Sequence, residues 1–257
     1  PQEDTSFGAL IHELTGDALP KELPGLIDLH AVDAAGVHPL LLAVGSERYT
    51  PYNKERKPQE ILTIANHILG SGQLSLAKYL FIVAGEDKPN LSTQNCEDYF
   101  AHVLERVEWE RDLHFYTNTT IDTLDYTGTG LNSGSKVVIA AAGNKKRNLA
   151  TNINATLNLP NGFKKPAVVL PGILAIEAGK YSNEESAANE IAQLNQVGKE
   201  AFEGFPLLLI CDDSAFIAAN LNNFLWVTFT RSNPASDIHG INSFIKNKHW
   251  GCSGPLI

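Results

Sequence analysis

The sequence predicts an α/β fold: a layered α/β/α domain built on a mixed, largely parallel sheet. Three observations carry that expectation. Short continuous apolar runs alternate along the chain with longer stretches whose apolar residues recur at helical spacing. Several of the runs are apolar at every position, as strands covered on both faces are. One strand–helix unit occurs twice, which predicts an internal strand–helix duplication.

Taken in order, residues 4–15 place Phe7, Leu10, Ile11 and Leu14 on one helical face, with Asp4 or Thr5 as cap and Gly16 as stop. Residues 19–24 form a Pro-bracketed connector. Residues 26–32 and 39–44 are strands around a turn at 33–36. Pro58 opens a helix whose stripe is Ile61, Leu62, Ile64, Ala65, Ile68 and Leu69, stopped at Gly70. A buried strand follows at 79–84 and a helix at 97–107. Residues 136–142 and 167–170 are short strands of the doubly covered kind. Residues 182–203 form a polar, Ala-rich amphipathic helix, and 207–210 another buried strand.

The repeat is the sharpest signal. Its first copy runs Tyr79–Ala84, Glu86-Asp87, residues 99–106 and Asp112-Leu113-His114. Its second runs 207–210, Asp212-Asp213, residues 224–231 and Asp237-Ile238-His239. Both give a strand, an acidic pair, an apolar segment, then Arg-x5-Asp-[Leu/Ile]-His. Residues 224–230 alone read as a strand, because Val227, Thr228 and Thr230 are β-branched. The match to 99–106 predicts a helix for both, with Asn222 or Asn223 as cap. The expected division is a leading helix and linker at 1–23, a first half at 24–145 and a second at 146–257.

Composition narrows the function classes. The chain has 257 residues, 43% hydrophobic and 19% charged, enough for one large core or two modest ones. No apolar run is long enough to cross a bilayer, and no signal-peptide pattern opens the chain. A net charge of −9 argues against a nucleic-acid or anionic-membrane footprint, leaving membrane association peripheral at most. Cys96, Cys211 and Cys252 are far apart and lack zinc-type spacing, which predicts a reducing, cytoplasmic setting. Methionine is absent, where a chain of this length ordinarily carries several. The expectation is that the natural protein holds methionines this sequence leaves out, which an intact mass above that of the printed residues would show.

The stretch Asn222-Asn-Phe-Leu-Trp-Val-Thr-Phe-Thr-Arg-Ser-Asn-Pro-Ala-Ser-Asp-Ile-His239, preceded by a strand ending in Asp212-Asp213, resembles a UbiD-family signature. That signature is an acidic pair after a strand, then Leu-Trp, then Thr-Arg-x-x-Pro-x-x-Asp. Pro1-Gln-Glu-Asp4 resembles the junction after that family's flavin-binding barrel. The segments at 38–52 and 56–62 resemble a longer bacterial variant. The resemblance implies the C-terminal α/β domain of a carboxy-lyase performing reversible, non-oxidative decarboxylation of an aromatic or unsaturated acid, such as a 4-hydroxybenzoate derivative. It also implies prenylated FMN with Mn2+ and a monovalent cation in the full-length enzyme. The partners implied are the upstream catalytic portion of the same polypeptide and further copies of it, in a dimer or hexamer. The family's carboxylate loop and metal-ligand set are not found in this sequence. The expectation is therefore a fragment inactive alone, with no catalytic residue and no bound cofactor, contributing pocket enclosure and subunit assembly.

By that resemblance Arg231 and Asp237 lie near the active site. The alternative is a structural ion pair ordering the turn at Pro234. Arg106 and Asp112 are expected to be structural. Ser46, Glu47 and Arg48 follow a strand and Asp213 ends another; these four are candidates to sit near substrate. Ser46–Arg48, with Tyr49 and the basic Lys54, Arg56 and Lys57 after them, are also candidates to contact the upstream catalytic portion or a second subunit. For Ser46–Arg48 the alternative is a solvated loop, and for Asp213 it is a helix cap. His30, Asp33 and His38 have loosely metal-like spacing that scattered turn positions explain as well. Gly128-x-Gly130-x3-Gly134 lacks the strand-before, helix-after context of a dinucleotide loop. Trp226 is expected to lie in a core or an interface rather than to serve as a stacking platform. Two other classes stay open: a free-standing oligomerisation module, and an independent α/β ligand-binding enzyme using the strand end at Asp213.

Overall fold

The computed structural model describes residues 18–49, 55–155 and 157–257. The helix expected at 4–15 and the cation Lys54 lie outside them. The fold is α/β, and among the described residues it holds two main sheets and a separate two-stranded hairpin rather than one sheet.

The first sheet has strand order β1-β2-β3-β5-β4. Its strands are β1 (Leu26–Ala31), β2 (Leu40–Gly45), β3 (Tyr79–Ala84), β4 (Leu113–Thr119) and β5 (Gly134–Ala141). The inner pairs β2–β3 and β3–β5 are parallel, and both edge pairs are antiparallel. Alternation along these strands divides the apolar side chains between two cores. Leu41, Ala43, Leu80, Ile82, Val138 and Ala140 face helix α2 (Glu60–Leu69), which buries Ile61, Ile64, Ala65 and Ile68. Leu40, Leu42, Val44, Phe81, Val83, Val137 and Ile139 face the opposite way, toward helices α3 (Cys96–Leu104) and α6 (Leu221–Thr230). Both faces are covered, so these strands read as unbroken apolar runs.

The second sheet joins β6 (Lys164–Leu170), β7 (Ile173–Glu177) and β8 (Leu207–Cys211). β6–β7 is antiparallel and β7–β8 parallel. Isolated bridges continue the order: Leu207 pairs in parallel with Leu256, and Leu256 antiparallel with Gly240. The first sheet has the same pairings in the same places, Tyr79↔Val137 and Phe115↔Val137. His114↔Val138 in β4–β5 likewise corresponds to the two backbone bonds of 2.8 and 2.9 Å between His239 and Ile257. The inner face of this sheet, Ile173 and Ala175, joins the core around α3 and α6. Its outer face, Leu174 and Ile176, packs on Leu194 of helix α4 (Glu184–Leu194) and on Phe202 and Phe205. The central helices thus lie in a core shared by both sheets.

Several expectations need correction. Residues 19–22 form a short helix, α1 (Leu19–Glu22), rather than a connector. The helix expected over 182–203 ends at Leu194, and Gly198 takes φ 82 before a single 3-10 turn. β6 is a half-buried edge strand, not a doubly covered one. It carries Pro166, which an edge tolerates, and Lys165 at φ 46 marks its bulge. Residues 224–230 are helical, as the repeat predicts, but the cap is Asn220, whose side chain accepts the Asn223 N–H at 2.9 Å. Asn95 caps α3 the same way, through the Asp98 N–H at 3.2 Å. Asn95 stands as far before Arg106 as Asn220 before Arg231.

Candidate functional site

Helix α6 ends at Arg231 and the chain turns into the short helix α7 (Pro234–Asp237). The turn is held from several sides. The Asp237 carboxylate accepts the Asn233 N–H at 2.6 Å and the Ser236 hydroxyl at 2.9 Å. The Asn233 side-chain oxygen accepts the backbone N–H of Ser135 at 3.2 Å and also its hydroxyl. The Ser232 hydroxyl donates to the Thr228 carbonyl at 2.6 Å and meets the Tyr79 hydroxyl at 2.7 Å. Below the turn lies Lys78, 1% exposed, paired with Asp125 at 2.7 Å and bonded to the Thr127 hydroxyl at 3.1 Å. Burial lowers the Lys78 pKa, and the Asp125 carboxylate opposes that shift. Burial also holds the Tyr79 phenol well above its usual range. The Tyr79 phenol is therefore neutral near pH 7.

Arg231 itself is exposed, and among the described residues it has no hydrogen bond and no ion pair. The structural ion pair with Asp237 is therefore absent; the Asp237 carboxylate is occupied by the turn's own backbone. The first copy confirms that this bond belongs to the repeat, since the Asp112 carboxylate accepts the Glu108 N–H at 2.8 Å. The arginine differs. Arg106 is buried and donates to the His102 carbonyl at 3.0 Å and the Glu105 carboxylate at 3.1 Å. Asp112 pairs with Arg111 rather than Arg106.

The other candidates lie elsewhere. Ser46, Glu47 and Arg48 follow β2, at the C-terminal end of the first sheet, whereas the Arg231 turn meets the first residues of β3 and β5. A strand of 6 residues separates the two ends, about 20 Å, so the structure does not bring these groups together. Ser46 and Glu47 are buried, which excludes a solvated loop for that pair. The Glu47 carboxylate accepts the N–H groups of Gln59, Glu60 and Ile61 at 2.8, 3.0 and 3.2 Å. It thus neutralises the positive end of α2. Glu60 in return accepts the backbone N–H of Tyr49 at 3.2 Å. Arg48 is exposed; among the described residues its guanidinium reaches only the Ser46 hydroxyl, at 3.5 Å, while its backbone N–H donates to the Glu60 carboxylate at 2.5 Å. Arg56 pairs with Asp87, whose carboxylate also accepts the Gly143 N–H at 2.6 Å. Asp213 caps helix α5 (Ser214–Ala218) through the Phe216 N–H at 2.9 Å. Trp226 does not pack away; it is 43% exposed.

His30 meets the Thr93 carbonyl, His38 pairs with Asp122, and Asp33 caps its own turn, so the three do not converge. Among the described residues no group of three or more His, Cys, Asp or Glu could hold a metal ion. Lys78, Asp125 and Asn233 have no distinguishing pattern in the sequence. The Asn95 and Asn220 caps do: they extend the Arg-x5-Asp repeat at constant spacing. Sequence reasoning also gives no sign of a cavity of about 660 Å³. It lies between α2, β4 and the hairpin β9 (Ser243–Lys246)–β10 (His249–Cys252), lined by Leu62, Asn66, His114, Tyr116, Lys248 and Trp250. Burial, then His249, lowers the His114 pKa.

Residues 5–141 match the family model of the 3-octaprenyl-4-hydroxybenzoate carboxy-lyase C-terminal domain. The chain belongs to that family. A Chlamydia trachomatis protein without an assigned activity is 33% identical over the whole chain. A Chlamydia pneumoniae protein, named as one of the subunits of a 4-hydroxybenzoate decarboxylase, is 31% identical, again over the whole chain. This carboxy-lyase domain spans 40% of the length of each of these relatives. Two solved structures are similar over part of the chain. The UbiD-class enzyme HmfF from Pelotomaculum thermopropionicum, in complex with FMN, covers 63% of this chain and 30% of its own, at TM-score 0.42 and 14% identity. The vanillic acid decarboxylase of Sedimentibacter hydroxybenzoicus covers 57% and 28%, at TM-score 0.39 and 18% identity.

Proposed function

We propose that this chain is the C-terminal portion of a carboxy-lyase that removes CO2, reversibly and without net oxidation, from an aromatic or unsaturated acid such as a 4-hydroxybenzoate derivative. Its part is to close one wall of the pocket and to support subunit assembly in a dimer or hexamer. One observation carries the reading: of two equivalent arginines, Arg231 alone is exposed and, among the described residues, unpaired, on a turn fixed at both ends. A cation presented this way is available to a carboxylate or to the rest of the polypeptide. Family membership supplies the reaction class.

The flavin, Mn2+ and monovalent cation of such an enzyme would be held by the rest of the polypeptide. The described residues do not fit a metal site of that kind. Residues 24–145 and 146–257 act as the two halves of this body. Arg231 and Asp237 stand nearest the reacting groups, Asp237 as a positioning residue. Ser46, Glu47, Arg48 and Asp213 serve helix termini and the loops beside them.

The test is CO2 release by the full-length protein. Arg231→Ala should lower kcat/KM at least ten-fold with the melting temperature unchanged, and Arg231→Lys should restore part of it. Full activity in Arg231→Ala would overturn the placement of this turn beside the pocket.

A further inference from the structure

The two halves dock reciprocally. The turn after α3 reaches the start of β8 in the other half, where the Trp109 indole N–H donates to the Pro206 carbonyl at 2.8 Å. The turn after α6 reaches back to the starts of β3 and β5. There Asn233 holds Ser135, Ser232 meets Tyr79, and the Ala235 N–H donates to the Ser135 hydroxyl at 2.8 Å. Trp109 stands three residues after Arg106, and Pro234 three after Arg231; Lys78 precedes β3 as Pro206 precedes β8. Each half therefore plugs the same end of the other's sheet with the same turn. Between these plugs the central helices meet ring to ring. Phe100 of α3 lies 5.5 Å from Phe224 and stacks at 6.0 Å and 14° on Phe229, both on α6. Phe229 in turn stands edge-on to Tyr79 and Phe81 of β3, at 5.1 and 6.0 Å.

The residue pairs differ, but the same elements meet in both directions: the turn after each central helix sits against the first residues of the other half's inner strands, which is the pattern of a two-fold, self-complementary interface. A helical face that merely covered a core would not need matched plugs at both ends. We infer that the α3/α6 face of this unit is a dimerisation surface whose partner is a second copy of the same unit, and that in this chain the partner is fused in cis. The face is consequently closed to other chains, and assembly of the whole protein uses a different surface. The inference does not depend on the decarboxylase reading.

The experiment uses the full-length protein with a protease site inserted between Thr151 and Asn152, both exposed. After cleavage the pieces should co-elute at micromolar concentration. Trp109→Phe and Asn233→Ala should each raise their dissociation constant about ten-fold. Glu47→Gln, which acts at the outer helix α2, should leave it unchanged. Two preparations whose first pieces carry different tags are then cleaved and mixed. First pieces should recover first pieces, above the exchange seen with uncleaved protein, because one copy can take the other's place. Pieces that separate on cleavage would overturn the inference. So would a dissociation constant indifferent to both contact variants, or recovery of first–second pairs alone.

Discussion

The two halves share strand order, pairing sense, helix caps and the carboxylate that closes each turn, yet their arginines have opposite fates. Arg106 is folded back onto its own helix end, buried against His102 and Glu105. Arg231 is left in solvent on an equally fixed turn. The difference teaches that the repeated framework is architecture, and that the copies depart from each other at single side chains set on it. Another departure lies beneath the turns. The first half places the Lys78–Asp125 ion pair where the second places Pro206, whose carbonyl takes the Trp109 indole.

That contrast can be broken most forcefully at Lys78. Asp125→Ala leaves a buried ammonium without its partner and should cost about 3–5 kcal/mol in denaturant unfolding. Lys78→Met combined with Asp125→Leu should recover most of it, and equal loss in the single and double variants would show the charge is not what matters. The arginines come next. Arg106→Ala should cost about 2–3 kcal/mol of stability, whereas Arg231→Ala should stay within about 0.5 kcal/mol. Calorimetry showing the two equal would erase the distinction.

The third test uses His102, which stands where the second half has Val227. Both its ring nitrogens are buried and, among the described residues, without a hydrogen-bond partner. Burial, then the Arg106 charge, lowers its pKa to about 4. The unfolded chain therefore binds more protons than the folded one between that value and the ordinary histidine range near 6.5, so stability falls as pH falls through this window. His102→Val should remove on the order of 2 kcal/mol of that dependence. Unfolding curves at pH 7 and pH 4.5 measure it, and an unchanged slope would assign the dependence to His114 and His239, whose pKa values burial also lowers. The smallest effect concerns what the halves share. Asn95→Ala and Asn220→Ala should each cost about 1 kcal/mol, and a several-fold inequality would mean that the caps are not equivalent.

β2, β3 and β5 formed where expected because an unbroken apolar run covered on both faces has few other solutions; β1 and β6 formed too, but as edge strands. β7 is not legible in the same way: Ile173–Glu177 is as apolar, but it follows β6 after a tight turn and leads directly into a polar stretch. β4 and the β9–β10 hairpin escape sequence reasoning because edge strands face water and carry mixed residues such as His114, Tyr116 and Lys246. At the site, the Arg231–Asp237 turn is legible through its spacing. The roles of Glu47 and Asp213 are not, because a carboxylate after a strand can meet a ligand or a helix terminus. Only the position of that helix decides between them.

By itself the sequence determined the α/β class, the duplicated unit, the helical state of residues 224–230 and the family. The first three follow from local periodicity or from order along the chain, and the family from the resemblance of residues 222–239 to a known signature. The tertiary structure alone decided that two main sheets share one helical core, that Arg106 is enclosed while Arg231 is exposed, and that Ser46–Arg48 and Arg231 lie at opposite ends of a sheet. Those depend on which distant surfaces meet, and spacing along a chain fixes periodicity but not the partner against which each face is buried.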